Sequence, residues 1–522
     1  MTASSPPPLV AAPAKPASTG RSLVRGSMSL VAAGLVSRAL GVVGTLVITH
    51  LMDPGAYGEV SDAVVVAFTA NALANVGVGV YVIANPKAGP EDLFHALVMH
   101  VGIGLLFCAG VLAFGHQLGV AFGAPTMYRY LPGMVVAVMC ERFNLLPDRL
   151  LLRQMRFGVS SLQRAGAEIL FTIVCVTGAA LGMGGMAIVA GNVARSACRV
   201  PLLLFLVKAG DWLRPHRLRK QVFLRILRFG LPISFGQLLG FGIRRWDNLV
   251  VSYLHGSAAV GAYNLAYNLA DIPAVQVGEQ ISDALQASLA NSHSGNQLQQ
   301  LLRSLAMLAF IMTPMAVGLG VVAPTVTHLF LDRRWSIVGP MLVWLSVISF
   351  PRPLSGTVGA YMQVRHQTRA FVSLEVFTLV TLLVGLLTVG RAGPIAACIA
   401  VGGTFFLRLV AAGFLLRMID GVPLLDFFRP QVRPVAAALV MAAAVTAVRL
   451  ALERAGAPGA LTLIAEVAVG VIAYAAAAWL VAREASRDLL GLVRRALGRR
   501  GAARAPSDET AKEVKSPRAD SP

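Results

Sequence analysis

The sequence predicts an all-α, polytopic membrane protein of about fourteen transmembrane helices. Of its 522 residues, 56% are hydrophobic and only 13% are charged, about half the charged share of soluble domains (roughly 25%). Apolar runs recur at the length of about 20 residues that an α-helix needs to cross the hydrocarbon. Basic residues gather in alternate connections between those runs, the pattern of the positive-inside rule. In a soluble chain a formal charge of +20 would suggest nucleic acid. Here its placement selects the lipid bilayer as the partner, with no nucleic acid.

Residues 1–20 are rich in Pro, Ala and Ser and read as a disordered cytoplasmic tail. The apolar run that follows is too long for the core of a signal peptide and has no A-x-A site, so it should stay as the first span. The expected spans are 27–50, 58–83, 93–115, 130–150, 158–181, 185–208, 231–254, 261–288, 302–329, 337–361, 369–390, 394–417, 434–453 and 459–481. Connections on one side hold about 30 Lys and Arg, against five on the other (Arg129, Arg333, Arg334, Arg391 and Arg454). That asymmetry puts both termini in the cytoplasm.

The two halves of the chain resemble each other. Leu23-Val-Arg25 matches Ile226-Leu-Arg228, and Gly58-Glu-Val60 matches Gly261-Ala-Tyr263, both at an offset of 203. Glu168 and Glu375 recur at 207, and Met155-Arg156 pairs with Val364-Arg365. Six spans per copy keep the copies in the same orientation, a parallel repeat that in transporters holds substrate where the repeats meet. The expected divisions are an N-lobe at 21–208, a basic cytoplasmic linker at 209–228 and a C-lobe at 229–420. A helix pair at 433–481 and a basic, then polar, cytoplasmic tail at 482–522 complete the chain.

Ten arginines fall inside spans: Arg38, Arg142, Arg164, Arg195, Arg199, Arg244, Arg245, Arg352, Arg408 and Arg449. A charge at membrane depth costs several kcal/mol unless it faces water or a partner. Arginine keeps its charge and offers a planar fork suited to phosphate or carboxylate. The stripes of polar residues therefore nominate a cationic lumen: Arg38, Arg142, Arg164, Arg195, Arg244, Arg245, Arg352, Gln237, Asn248, Asn264 and Asn268. Arg244 continues the Gln237–Asn248 stripe and is the better substrate contact; Arg245 suits a neighbouring helix. Arg164 and Glu168, four apart, could instead pair with each other. Asp62, Asp271 and Glu279 are candidate H⁺ or Na⁺ coupling sites, because a desolvated carboxylate can take up a proton. Pro273 should kink its span, and Phe350-Pro-Arg-Pro353 should break or kink another.

Catalytic signatures are missing. The chain has no P-loop, no H-E-x-x-H and no G-x-S-x-G, and its five cysteines show no C-x-x-C spacing. Neither an enzyme nor a cofactor or metal site is expected.

Three stretches carry a family resemblance: Ser22–Val64, which contains Pro54-Gly-Ala-Tyr-Gly58; Leu152-Arg-Gln-Met-Arg-Phe157 through Gly182-Met-Gly-Gly-Met-Ala187; and Trp246-Asp-Asn-Leu-Val250 through Gly261-Ala-Tyr-Asn-Leu-Ala266. The chain resembles the polysaccharide-synthesis flippases of the multidrug/oligosaccharidyl-lipid/polysaccharide exporter superfamily. The resemblance implies a two-lobed, V-shaped transporter of the bacterial inner membrane. Its cargo would be an undecaprenyl-pyrophosphate-linked oligosaccharide, an exopolysaccharide or O-antigen unit, moved by alternating access. A peptidoglycan-precursor flippase or a drug/cation antiporter of the same superfamily is the alternative. A polysaccharide polymerase or ligase is disfavoured, since the expected external connections are short.

Overall fold

The computed structural model describes residues 41, 43–282, 285 and 296–481. Among them the regular structure is all helical, without a strand. Among the described residues nine helices are long and apolar enough to cross a membrane, or ten if a pair bent by 49° counts as one span. That pair is α1 (Pro54–Leu73) and α2 (Val78–Ala84). The helices that follow are α3 (Pro90–Ala113), α4 (Leu131–Arg153), α5 (Phe157–Ala180) and α6 (Met186–Leu206). The long α7 (Lys220–Pro273) leads to α8 (Gln297–Phe330), α9 (Val338–Leu345) and α10 (Pro351–Val364). The last four are α11 (Thr368–Thr388), α12 (Pro394–Asp420), α13 (Leu424–Arg454) and α14 (Gly459–Val481).

The difference from fourteen has several sources. Most of the expected first span lies outside the described residues. Helix α4 has the length but carries Glu141, Arg142, Asp148 and Arg149. The expected tenth span is divided: α9 passes into a 3₁₀ turn, Ser346–Ser349, and α10 restarts at Pro351. Two expected spans share α7, which holds two helices joined at a sharp kink at Gly256.

By packing, the chain divides into one unit of Met1–Asn264 with Phe330–Trp335, and a second of Leu265–Leu329 with Ser336–Pro522. In the first unit, α7 is a hairpin. Gly256 sits at φ 80°, a left-handed conformation that glycine adopts without a Cβ penalty. The Tyr263 hydroxyl donates to Asp247 at 2.6 Å, although sixteen residues of straight helix would separate them by about 24 Å. Asn264 likewise donates to Asn248 at 2.9 Å. The basic stretch 209–228 packs here too: Trp212 is fully buried against α3, α4 and α6, and the Arg219 N–H donates to His95 Nε2 at 2.8 Å. Segment 330–335 docks in the same unit, where the Trp335 indole donates to the Thr49 carbonyl at 2.9 Å and meets Tyr57 edge-on.

The two glycines matched by the repeat, Gly58 and Gly261, lie face to face. A Cβ on Gly58 would stand 1.8 Å from the Ser257 carbonyl oxygen, and one on Gly261 would stand 2.0 Å from that of Pro54. No neighbouring side chain can give way, because both obstacles are backbone.

The second unit packs α8, α10 and α12 around Leu301, Leu308, Met312, Leu354, Tyr361, Leu409 and Phe427. Immediately after Pro273 the chain makes a π turn, Ala274–Gly278, the form a helix takes when it must absorb an extra residue. Helices α13 and α14 lean on α8 through Phe310, Ala437, Met441 and Tyr474.

Gly58→Ala should destabilise the folded protein by about 1–3 kcal/mol, the usual cost of overpacking. The thermal unfolding midpoint in detergent reports it; a midpoint equal to that of the parent would contradict the contact.

Candidate functional site

Helix α1 stops where the chain bends: the Ala70 and Ala72 carbonyls still accept backbone N–H groups, whereas those of Asn71 and Ala74 have no helical partner. Inside a bilayer such groups must be satisfied by the protein itself. Arg142, on α4 and 1% exposed, does this. One Nη donates to the Asn71 carbonyl at 3.2 Å and its Oδ1 at 2.6 Å, and the other donates to the Ala74 carbonyl at 2.9 Å. Nε and the second Nη also reach the His100 carbonyl on α3, at 2.9 and 2.6 Å. Gly104 makes room for it, since a Cβ there would lie 1.9 Å from Arg142 Nε.

Beside this capped break lies a cavity of about 280 Å³. Asn71, Asn75, His100, Glu141, Arg142 and Gln237 supply its polar wall, and Phe68, Ala72, Leu145 and Phe241 its apolar wall. Across it the Asn75 amide donates to Gln237 Oε1 at 2.6 Å. All of these residues belong to the first unit.

Behind Glu141 a network joins α4, α5 and α6. Arg199 donates to both Glu141 oxygens at 2.9 Å and to Gln163 at 2.8 Å. Gln163 and Ser160 donate to Asp148, which also pairs with Arg164. Glu168 is paired with Arg195 at 3.0 Å, and the Arg195 guanidinium lies over the Phe171 ring. The Arg164–Glu168 pair that the spacing allowed is therefore not formed. Each member finds a partner on another helix.

In the second unit, Arg352 at the start of α10 pairs with Asp271 and lies 3.7 Å from Glu279, with Phe405 beneath its guanidinium. Ser349, in the turn before α10, donates to the Ala270 carbonyl. Arg408 and Glu375 form a buried pair at 2.5 Å, each side chain under a tenth exposed, with Thr378 as a further acceptor.

The nominated residues thus fall into separate groups. Arg142 and Gln237 line the first-unit cavity; Arg164 and Arg195 sit in the ion-pair network behind it. Arg352, Asp271 and Glu279 come together in the second unit, where Asn268 is exposed. Asn248 and Asn264 bond each other across the α7 hairpin. Arg244 and Arg245 are exposed, and neighbouring Asp247 takes its hydrogen bonds from Tyr263 and Asn248. Asp62 is fully buried, accepting from Ser252 at 2.5 Å through one oxygen while the other has no partner. Arg38 lies outside the described residues. Of the ten residues that line the cavity only Arg142 and Gln237 were nominated; the others include Asn71, Asn75, His100, Glu141, Phe68 and Phe241. Asn71, Asn75, His100 and Glu141 carry a signal as polar residues within apolar runs; nothing marks the two rings.

Long apolar helices that carry interior polar clusters define a multi-pass membrane protein of transporter type. A family model described as "Polysaccharide biosynthesis protein" matches residues 47–340, more than half of the chain, which therefore belongs to that family. Lipopolysaccharide biosynthesis protein WzxC of Escherichia coli K12 is 22% identical over 358 residues, 68% of this chain and 72% of its own length. Succinoglycan biosynthesis transport protein ExoT of Rhizobium meliloti is 23% identical over 455 residues, 86% of this chain and 91% of its own. Among solved structures, the lipid II flippase MurJ in an inward closed conformation superposes with a TM-score of 0.71 at 14% identity, covering 89% of this chain and all of that one. An inward-facing multidrug MATE transporter gives 0.61 at 16% identity, covering 73% and 94%. The fold is that of these transporters.

Three substitutions test the structural roles of these charges. Arg142→Lys cannot reproduce the forked cap and should lower the yield of monodisperse protein on size-exclusion chromatography, each lost bond to a charged donor being worth about 1.5–3 kcal/mol. Glu375→Leu alone should destabilise by about 3–5 kcal/mol by stranding Arg408, whereas Glu375→Leu with Arg408→Met should unfold near the parent temperature.

Proposed function

We propose that this protein moves a lipid-pyrophosphate-linked oligosaccharide across the bacterial inner membrane by ion-coupled alternating access. The cargo is an undecaprenyl-linked repeat unit of exopolysaccharide or O-antigen. The observation that carries this reading is the alignment with a succinoglycan transport protein along 86% of the chain. Family membership and the second relative, named for lipopolysaccharide biosynthesis, point the same way. The similarity to MurJ supports the fold alone and leaves a peptidoglycan-precursor flippase as the second reading.

In this reading both termini are cytoplasmic, as the basic connections require, and two six-helix repeats at 21–208 and 229–420 frame the path. The pyrophosphate is held by arginine. Arg244 and Arg245 are the first candidates because they are exposed in mid-span. Arg352 is a conditional one. Asp271 and Glu279 already engage it, so a proton or Na⁺ reaching those carboxylates would release the guanidinium for a phosphate. Cargo binding and ion binding would then be linked through one side chain. Asp62, with an oxygen left unbonded in a buried site, is the separate ion-site candidate of the first unit.

Proteoliposomes loaded with an undecaprenyl-pyrophosphate oligosaccharide test the function: the protein should change which leaflet exposes the sugar, and no protein-dependent change would refute it. Arg244→Ala and Arg245→Ala together should slow that exchange by about tenfold or more, in line with losing a charge-assisted bond, at unchanged protein level. Normal exchange by the double variant would remove these arginines from the path.

A further inference from the structure

We infer that the first-unit cavity beside the α1–α2 break is a subsite for one uncharged sugar ring, read by amides and aromatic faces instead of by arginine. The inference rests on the transport reading above and adds which chemical part of the cargo this wall recognises.

Charge in the cavity is already spoken for. Every donor nitrogen of Arg142 is directed at the carbonyls and side chain that it caps, and Glu141 is neutralised by Arg199 through both oxygens. A phosphate or carboxylate entering here would meet no uncommitted cation and would lie beside an acidic group. A neutral ligand meets no such penalty.

What remains for a ligand is neutral hydrogen bonding and apolar surface. The Asn71 amide offers its N–H groups, its oxygen being held by Arg142. Gln237 likewise offers N–H groups, its oxygen being taken by Asn75. Glu141 retains acceptor lone pairs, since a carboxylate has about four such positions. Phe68 and Phe241 line the same space. A pyranose fits this set: adjacent hydroxyls act as both donors and acceptors, and its C–H face is apolar. Size agrees, because about 280 Å³ lies just under the range of roughly 300–1,000 Å³ typical of drug-sized ligands. One ring fits; an oligosaccharide would have to extend beyond it.

Such a site would discriminate among repeat units, since a bound ring desolvates these amides and a wrong ligand that leaves them unpaired carries a penalty. It should reject a uronic acid and accept a neutral hexose.

Saturation-transfer NMR on the full chain in lipid nanodiscs tests this with methyl glycosides of glucose, galactose, mannose and rhamnose, and with methyl glucuronide as the charged comparison. At least one neutral glycoside should receive saturation and outbind the glucuronide about tenfold. Gln237→Ala, which removes an exposed amide, and Phe241→Ala, which removes an apolar wall, should each weaken it about tenfold at an unchanged unfolding midpoint. Using two variants guards against one of them misfolding. Absence of transfer from all four neutral glycosides, or glucuronide binding as tightly as they do, would overturn the inference. Unaltered binding in both variants would do the same. If leaflet exchange of the lipid-linked oligosaccharide persists in that case, the transport reading survives and the sugar subsite alone fails.

Discussion

A peptide carbonyl in the middle of a membrane has no water to turn to, and that constraint organises the first unit. Ending α1 and restarting at α2 strands the carbonyls of Asn71 and Ala74, and one guanidinium from α4 collects both together with a carbonyl of α3. Three helices are thereby fixed around one side chain, and Gly104 is the space it needs. The polar cavity exists because the helix breaks there, and the break is tolerable because Arg142 closes it. An arginine nominated for cargo is thus better understood as the keystone of the wall around it.

The same logic extends to the other interior charges. Arg164, Arg195, Arg199, Arg352 and Arg408 each meet a carboxylate on a different helix, so charge that is costly in hydrocarbon becomes a set of interhelical ties. Removing one partner leaves an uncompensated charge, while removing both need not. In the proposed transport, an anion reaching such an arginine would have to displace its carboxylate partner.

Much of this fold was legible from length and periodicity. Apolar runs of about 20 residues located most of the helices, and Phe350-Pro-Arg-Pro353 and Pro273 marked real irregularities. The break after Leu73 was not foreseen: Asn75, Gly77 and Gly79 signal flexibility, but whether a helix breaks depends on Arg142 being within reach, and that is a tertiary fact. The stripes were incomplete in a similar way. Gln237, Arg244, Asn248 and Ser252 share a helical face by spacing, yet the hairpin at Gly256 covers Asn248 with Asn264, and α1 covers Ser252 with Asp62. Spacing gives the angle of a residue around its helix; it does not say what stands opposite.

The π turn after Pro273 has a consequence for the charge cluster of the second unit. Asp271 and Glu279 are eight residues apart, whereas a regular helix returns to the same face after seven. The π turn absorbs one residue, so eight positions span the rotation that seven would otherwise cover. Both carboxylates are brought into phase and bracket the single guanidinium of Arg352. The irregular turn is a phase correction, and the stoichiometry of two acids to one base is set by backbone winding as much as by sequence.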